Sequence, residues 1–198
     1  MLTKEGMMHY RKTQYKVGPL FVNRWSPRAM SGEEIEGKDL MALFEAARWA
    51  PSSFNNQPWR FLFARRGTEH WEKFFGLLTD RNKLWVKNAA VLIVMVSKTT
   101  FDHNGKPART HSFDAGAAWE NLALQGTAMG FVVHGMQGFS YSRAREELGV
   151  PGEYEVEAMA AVGKPGKKED LPKELQLQEY PSPRKKINEI VFEGFFKV

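Results

Sequence analysis

Apolar residues recur at helical spacing through Leu40, Leu43, Phe44 and Ala47, and that run ends at Pro51. Arg60-Phe-Leu-Phe-Ala64 follows as a strand segment. Trp71, Phe74, Phe75, Leu78 and Trp85 then form an apolar stripe at helical spacing over residues 68–85. Residues 89–96 are apolar without interruption and rich in Val and Ile, which predicts a central strand covered on both faces. The run 114–129 is the strongest helix signal. Asp114 or Ser112 can cap it, and Gly130 stands where a left-handed C-terminal glycine belongs. Phe131-Val-Val133 gives a short strand, and residues 142–148 give a helix stopped by Gly149 and Pro151. Val156, Ala158, Ala160 and Val162 alternate as a last strand. Ser31-Gly-Glu-Glu34 has the shape of a capping box. The alternation of helices and strands predicts a layered α/β or α+β domain.

Punctuation divides the rest. Residues 1–20 read as an N-terminal extension and 21–198 as a single domain with a C-terminal arm over 167–198, polar and proline-punctuated to Pro183 and then carrying apolar Ile187, Ile190, Val191 and Phe192. Between Pro51 and Pro58 lie Ser52, Ser53, Asn55 and Gln57, side chains that both donate and accept hydrogen bonds. Each proline is expected to push its predecessor toward extended geometry. This segment reads as a rigid polar loop suited to a planar, heteroatom-rich ligand.

The chain has 198 residues, 42% hydrophobic, enough for a sizeable core. It has no cysteine, which excludes disulfides, Cys-ligated zinc and thiol catalysis, and fits a reducing, cytoplasmic setting. The net charge of +5 is dispersed among acidic residues, which favours an anionic small molecule or mild attraction to nucleic acid; no nucleic-acid partner is expected on the reading reached below. The longest apolar run is too short to cross a membrane, and the polar start lacks a signal-peptide core.

Chemistry-bearing motifs are few. There is no phosphate loop of the GxxxxGK[ST] kind, no GxGxxG opening a helix, no GxSxG elbow and no HExxH pair. Arg24-Trp-Ser-Pro-Arg28 can aim two guanidiniums and a hydroxyl at one anion, and Arg184-Lys-Lys186 adds a second basic group. His134-Gly-Met-Gln-Gly138 can bring backbone N–H groups close to a ligand. Together these fit a protein that binds an anionic cofactor and leaves the chemistry to it.

Arg24-x-Ser-x-Arg28, Ala47-Arg-Trp-Ala-Pro-Ser-Ser-x-Asn-x-Gln-Pro-Trp59, the 114–130 helix, Met136-Gln-Gly138 and Arg184-Lys185 resemble the FMN-dependent nitroreductase family over roughly residues 22–192. The resemblance implies an α+β fold with a mixed, largely antiparallel central sheet flanked by helices, and a dimer of domain-swapped type with FMN at the subunit interface. It implies that Arg24, Trp25, Ser26 and Arg28 hold the phosphate and ribityl end. Pro51, Ser52, Ser53, Asn55 and Gln57 would form the flavin-edge loop, supplied by the partner subunit in familiar members. Met136, Gln137 and Gly138 would face the ring system, with Arg184, then Lys185 or Lys186, completing the phosphate site. The implied activity is NAD(P)H-dependent reduction of nitroaromatic, quinone or related small acceptors by a ping-pong hydride mechanism. No side chain acts as a nucleophile, and no metal takes part. Relatives of this fold that dehalogenate or use oxygen, and a non-catalytic flavin-binding redox module, are the alternatives. Met30, Gln137 and Lys185-Lys186 depart from the family pattern, where an aromatic, an acidic residue and a proline are common.

Overall fold

Strand β2 (Val91–Lys98) is the centre of the molecule, and all but its last residue are buried. Its neighbours are β1 (Trp59–Arg65) and β4 (Tyr154–Gly163), and β3 (Val132–Met136) lies beyond β4. The computed structural model describes residues 10–196, so the first nine residues of the expected N-terminal extension lie outside the described residues. Among the described residues the order β1-β2-β4-β3 gives a four-stranded sheet, and where a mixed, largely antiparallel sheet is expected all three pairings are antiparallel.

Because side chains alternate across a strand, β2 feeds two separate cores. Val91 and Ile93 face one cluster with Leu40, Leu43 and Ala47 of helix α2 (Gly37–Arg48) and Ala115, Ala118 and Leu122 of helix α5 (His111–Ala128). Leu92, Val94 and Val96 face the other, with Trp71 and Phe74 of α3 (Trp71–Gly76) and Trp85 and Val86 of α4 (Asp80–Val86). Ala144 of α6 (Tyr141–Glu147) and Leu175 of α7 (Lys173–Gln176) close that second layer. Each fully buried leucine contributes about 2 kcal/mol from removal of apolar area from water. The α+β sandwich of helices about one sheet is therefore set by the double-sided hydrophobicity of β2. Among the described residues no helix is long and apolar enough to cross a membrane.

The long helix ends as its glycine suggests. Gly130 has φ +80°, its N–H reaches Thr127 O at 3.1 Å, and the N–H of Phe131 reaches Gly126 O at 2.8 Å, the paired bonds of a Schellman turn. Three other local expectations are corrected. Ser31 does not cap a helix: its Oγ accepts from the N–H of Glu33 two residues on, and α2 begins later, at Gly37. Neither Ser112 nor Asp114 caps α5. Ser112 Oγ donates to Glu157 at 2.8 Å, and Asp114 lies inside the helix. The aromatic stripe over 68–85 is two short helices rather than one, because Leu78 forms a bridge with Phe139 and the N–H of Thr79 bonds Gly138 O at 3.0 Å. Backbone groups spent on that bridge cannot continue a helix.

A register shift between Met95 and Val96 places both Val156 and Ala158 opposite adjacent β2 residues, leaving Glu157 as the extra residue of a bulge. Its carboxylate accepts from Ser97 and Ser112, tying β4 and β2 to the start of α5.

Candidate functional site

Helix α1 (Pro19–Asn23) stops at Arg24, whose backbone is extended. Alternate residues of the following segment therefore face opposite ways. Arg24 and Ser26 line a cavity of about 400 Å³ with Trp119, Glu120, Gly135, Met136, Gln137 and Ala158. Trp25, Pro27 and Ala29 line a separate, more apolar cavity of about 620 Å³. Arg24 Nη1 donates to Ser26 Oγ at 3.3 Å, and its Nε stands 3.8 Å from Glu120. Guanidinium and hydroxyl thus converge as the RxSxR spacing suggests.

Arg28 departs from that picture. Its guanidinium turns toward Glu179 at 3.8 Å, and Glu179 Oε1 accepts the backbone N–H groups of Arg28 (2.7 Å) and Ala29 (2.9 Å). The buried Glu179 was not singled out in the sequence, where it is one carboxylate in a charged arm. His134 secures the same segment from β3, donating from Nδ1 to Pro27 O at 2.8 Å and packing on Trp85 at 4.5 Å.

Burial pushes His134 down to about 4, against the pull of the Pro27 carbonyl and with help from nearby Arg28. The imidazole is neutral in the fold, and the unfolded chain binds the extra proton between about pH 6.5 and 4. Stability from this group is therefore present above the unfolded value and lost as pH falls toward the folded one. Urea unfolding from pH 7.5 to 4 is expected to show a loss of roughly 2–3 kcal/mol traceable to this group. His134→Gln keeps a donor for Pro27 and should flatten that limb. An unchanged acid limb in the variant would assign the loss elsewhere.

The loop after α2 is strained. Phe54, Asn55 and Gln57 have φ of 52°, 53° and 46°, left-handed geometry that costs about 1–2 kcal/mol for each non-glycine residue. Gln57 therefore does not take the extended geometry expected before Pro58. Internal bonds override that preference: the N–H of Gln57 donates to Ser52 Oγ at 3.0 Å, and its amide donates to Asn55 O and Oδ1 at 3.2 Å. Asp114, 5% exposed on α5, accepts the N–H of Ser53 at 3.1 Å and the hydroxyl of Thr110 at 3.3 Å. Asn56 ties the loop to Thr100 O and the N–H of Asp102. Asp114 and Asn56 are the anchors that sequence reasoning missed; Asp114 looks like a cap until the loop folds onto it.

The loop residues, Pro51 included, do not line the cavity with Arg24, and Phe54 stands exposed with its ring on Phe101 at 5.5 Å. At the far side of that cavity the two glycines have packing reasons. A Cβ on Gly135 would lie 2.9 Å from the Trp119 ring, and one on Gly138 2.6 Å from Asn82 Nδ2. His134-Gly-Met136 belongs to β3 rather than to a loop, and Asn82 donates to Gly138 O at 3.0 Å. Arg184, Lys185 and Lys186 are exposed on the arm, with Arg184 Nη1 on Ser182 Oγ at 3.0 Å. Among the described residues no group of three or more His, Asp or Glu side chains could hold a metal ion.

A helix-flanked antiparallel sheet with a guanidinium–hydroxyl pair in one cavity and a strained amide loop at the end of α2 defines the α+β class of this chain. The Nitroreductase family model matches residues 22–83 and 71–164, and the chain belongs to that family. Protein DrgA of Synechocystis sp. is 32% identical over 157 residues, 66% of this chain and 73% of its own length. A solved structure described as an oxidoreductase containing FMN superposes with a TM-score of 0.91 at 44% identity, covering 94% of this chain and 96% of its own. A protein of Parabacteroides distasonis assigned as an NADH dehydrogenase/NAD(P)H nitroreductase shares the fold, with a TM-score of 0.69 at 22% identity over 89% of this chain and 97% of its own.

Proposed function

We propose that the protein is an FMN-dependent oxidoreductase that takes reducing equivalents from NADH or NADPH and passes them to nitroaromatic, quinone or related small acceptors in a ping-pong cycle. The observation that carries this reading is the cavity in which Arg24 and Ser26 meet Met136 and Gln137. One end offers a cation and a hydroxyl, the other an amide at a strand end, which fits a ligand with a phosphate on one side and a planar, polar-edged ring on the other. The relative described as containing FMN, at 44% identity, supports that choice of ligand.

FMN, when bound, supplies hydride acceptance and donation that none of the side chains can provide. The chain's own residues bind and orient. Arg24 and Ser26 take the phosphate, with Arg184 and Lys185 approaching from the arm. Trp25 and Arg28 act behind them, Trp25 by packing in the second cavity and Arg28 by its pairing with Glu179. Met136, Gln137 and Gly138 would face the ring system, and Gln137, neutral where an acidic side chain is common, would place no negative charge beside it. Loop residues Pro51, Ser52, Ser53, Asn55 and Gln57 lie outside this cavity within one chain, which supports their reaching the site of a second copy. Exposed apolar residues on both arms, Tyr15 at 71%, Phe195 at 87% and Phe196 at 82%, support the same homodimer. A cytoplasmic setting fits the absence of cysteine.

The test is direct. Purified protein should be yellow, carry FMN at one per chain, and bleach on anaerobic mixing with NADH or NADPH before a quinone or nitroaromatic restores the colour. A colourless protein that takes up no added FMN overturns the reading; flavin that neither nucleotide reduces overturns the reaction. Within this scheme Asn55→Ala should weaken FMN retention about tenfold, since it removes an amide and with it the Oδ1 acceptor of the Gln57 side chain. Equal retention by equilibrium dialysis would make the loop a connector.

A further inference from the structure

The N-terminal arm, which reads in the sequence as an extension, runs beside the C-terminal arm in the same direction. Tyr10 stacks on Tyr180 at 5.9 Å, Arg11 Nε donates to Ser182 O at 3.2 Å, and Gln14 Oε1 accepts the N–H of Ile187 at 2.8 Å. Arg11 reaches further. Its Nη1 donates to Val22 O at 2.8 Å and to Arg24 O at 2.5 Å. One guanidinium thus joins the arm that bears Arg184 to the segment that bears Arg24 and Ser26.

These are like charges brought together. Burial, then the positive fields of Arg184 and Arg24, push Arg11 down to about 10. Among the described residues neither Arg11 nor Arg184 pairs with a carboxylate, and the partner of Arg24 is a long contact to half-exposed Glu120. Arg184 and Arg24 both repel Arg11, and one long carboxylate contact among the three guanidiniums does not balance them, so a ligand carrying nearly two negative charges reverses the sign of that interaction. The fixed fork of Arg11 also holds both arms in register, so that Arg24 and Arg184 need not be ordered by the ligand.

We propose that Arg11 is a positioning residue of the anion site, setting Arg24 and Arg184 around a phosphate monoester and adding its own charge to theirs. This rests on the reading of FMN as the cofactor. The N-terminal arm then serves to select the phosphorylated flavin over the neutral one.

The experiment uses the full chain stripped of flavin and titrated separately with FMN and riboflavin, following flavin fluorescence. The parent should prefer FMN. Arg11→Ala is expected to weaken FMN by about 10-fold or more, the worth of a charge-assisted contact, while riboflavin changes by less than about twofold. Arg11→Lys keeps the charge without the fork and should recover part of the preference; where the alanine variant does not fold, the ratio is read on the lysine variant. A merely structural arm would loosen both flavins equally, and an unchanged FMN-to-riboflavin ratio overturns the inference while the flavin reading stands. A parent that binds neither flavin removes that reading and this one together.

Discussion

Arg24→Ala is expected to raise the Kd for FMN by about 100-fold, the loss of up to two charge-assisted hydrogen bonds at about 1.5 kcal/mol each. The guanidinium lines the cavity beside Ser26 and is mostly shielded from water, so its field at a bound anion is weakly screened. Its contact to Glu120 is long and half-exposed, the kind of pair that contributes about 0–1 kcal/mol. The thermal midpoint of the apoprotein should therefore stay within about 3 °C of the parent. Dialysis and calorimetry on the same preparation separate the two effects. A variant that retains FMN as tightly as the parent would show that the anion lies elsewhere.

The second large effect is structural. Residues 29–31 pair with 164–166: the N–H of Gly166 donates to Ala29 O at 3.0 Å, and that of Ser31 to Lys164 O at 3.0 Å. A Cβ on Gly166 would fall 2.5 Å from the carbonyl carbon of Met30 and 2.6 Å from its oxygen. Backbone cannot swing aside as a side-chain tip can, so Gly166→Ala must separate the two segments. The expected cost is about 3 kcal/mol, or roughly 6–12 °C in the melting temperature for a chain this size. Because Arg28 and Ala29 hang from the same segment, FMN affinity should fall with it. Gly152→Ala is the control, having nothing within 4 Å of the added methyl. If both variants melt together, the close approach at Met30 is not what holds these strands.

What could be read from the chain beforehand was what repetition encodes. β2 announced itself because burial on both faces leaves no room for polar alternation, and α5 because its small residues and Gly130 admit one reading. Arg24 and Ser26 were legible for the same reason, as two residues apart on an extended chain face one way. Arg28 obeys that spacing as well, yet Glu179, distant in sequence, draws it aside. The capping box at Ser31 failed because the helix starts only at Gly37, leaving the serine to close a local turn. Asp114, Asn56 and Arg11 act through partners on other segments, and none of them stands in a pattern that a single chain could reveal. The left-handed loop was hidden too, since it is held by bonds within and beyond itself against the preferences of its own residues.

The two cores share a wall. Side chains of β2 alternate between the α2–α5 layer and the α3–α4 layer, and the strand is hydrogen-bonded on both edges. A disturbance that frees either layer strips one face of β2 and loosens the other layer's support. Neither half can serve as a folded refuge while the other is open, so the Arg24–Ser26 segment, which meets α5 at Trp119 and Glu120, and the polar loop, which meets it at Asp114, are kept or lost in a single cooperative event.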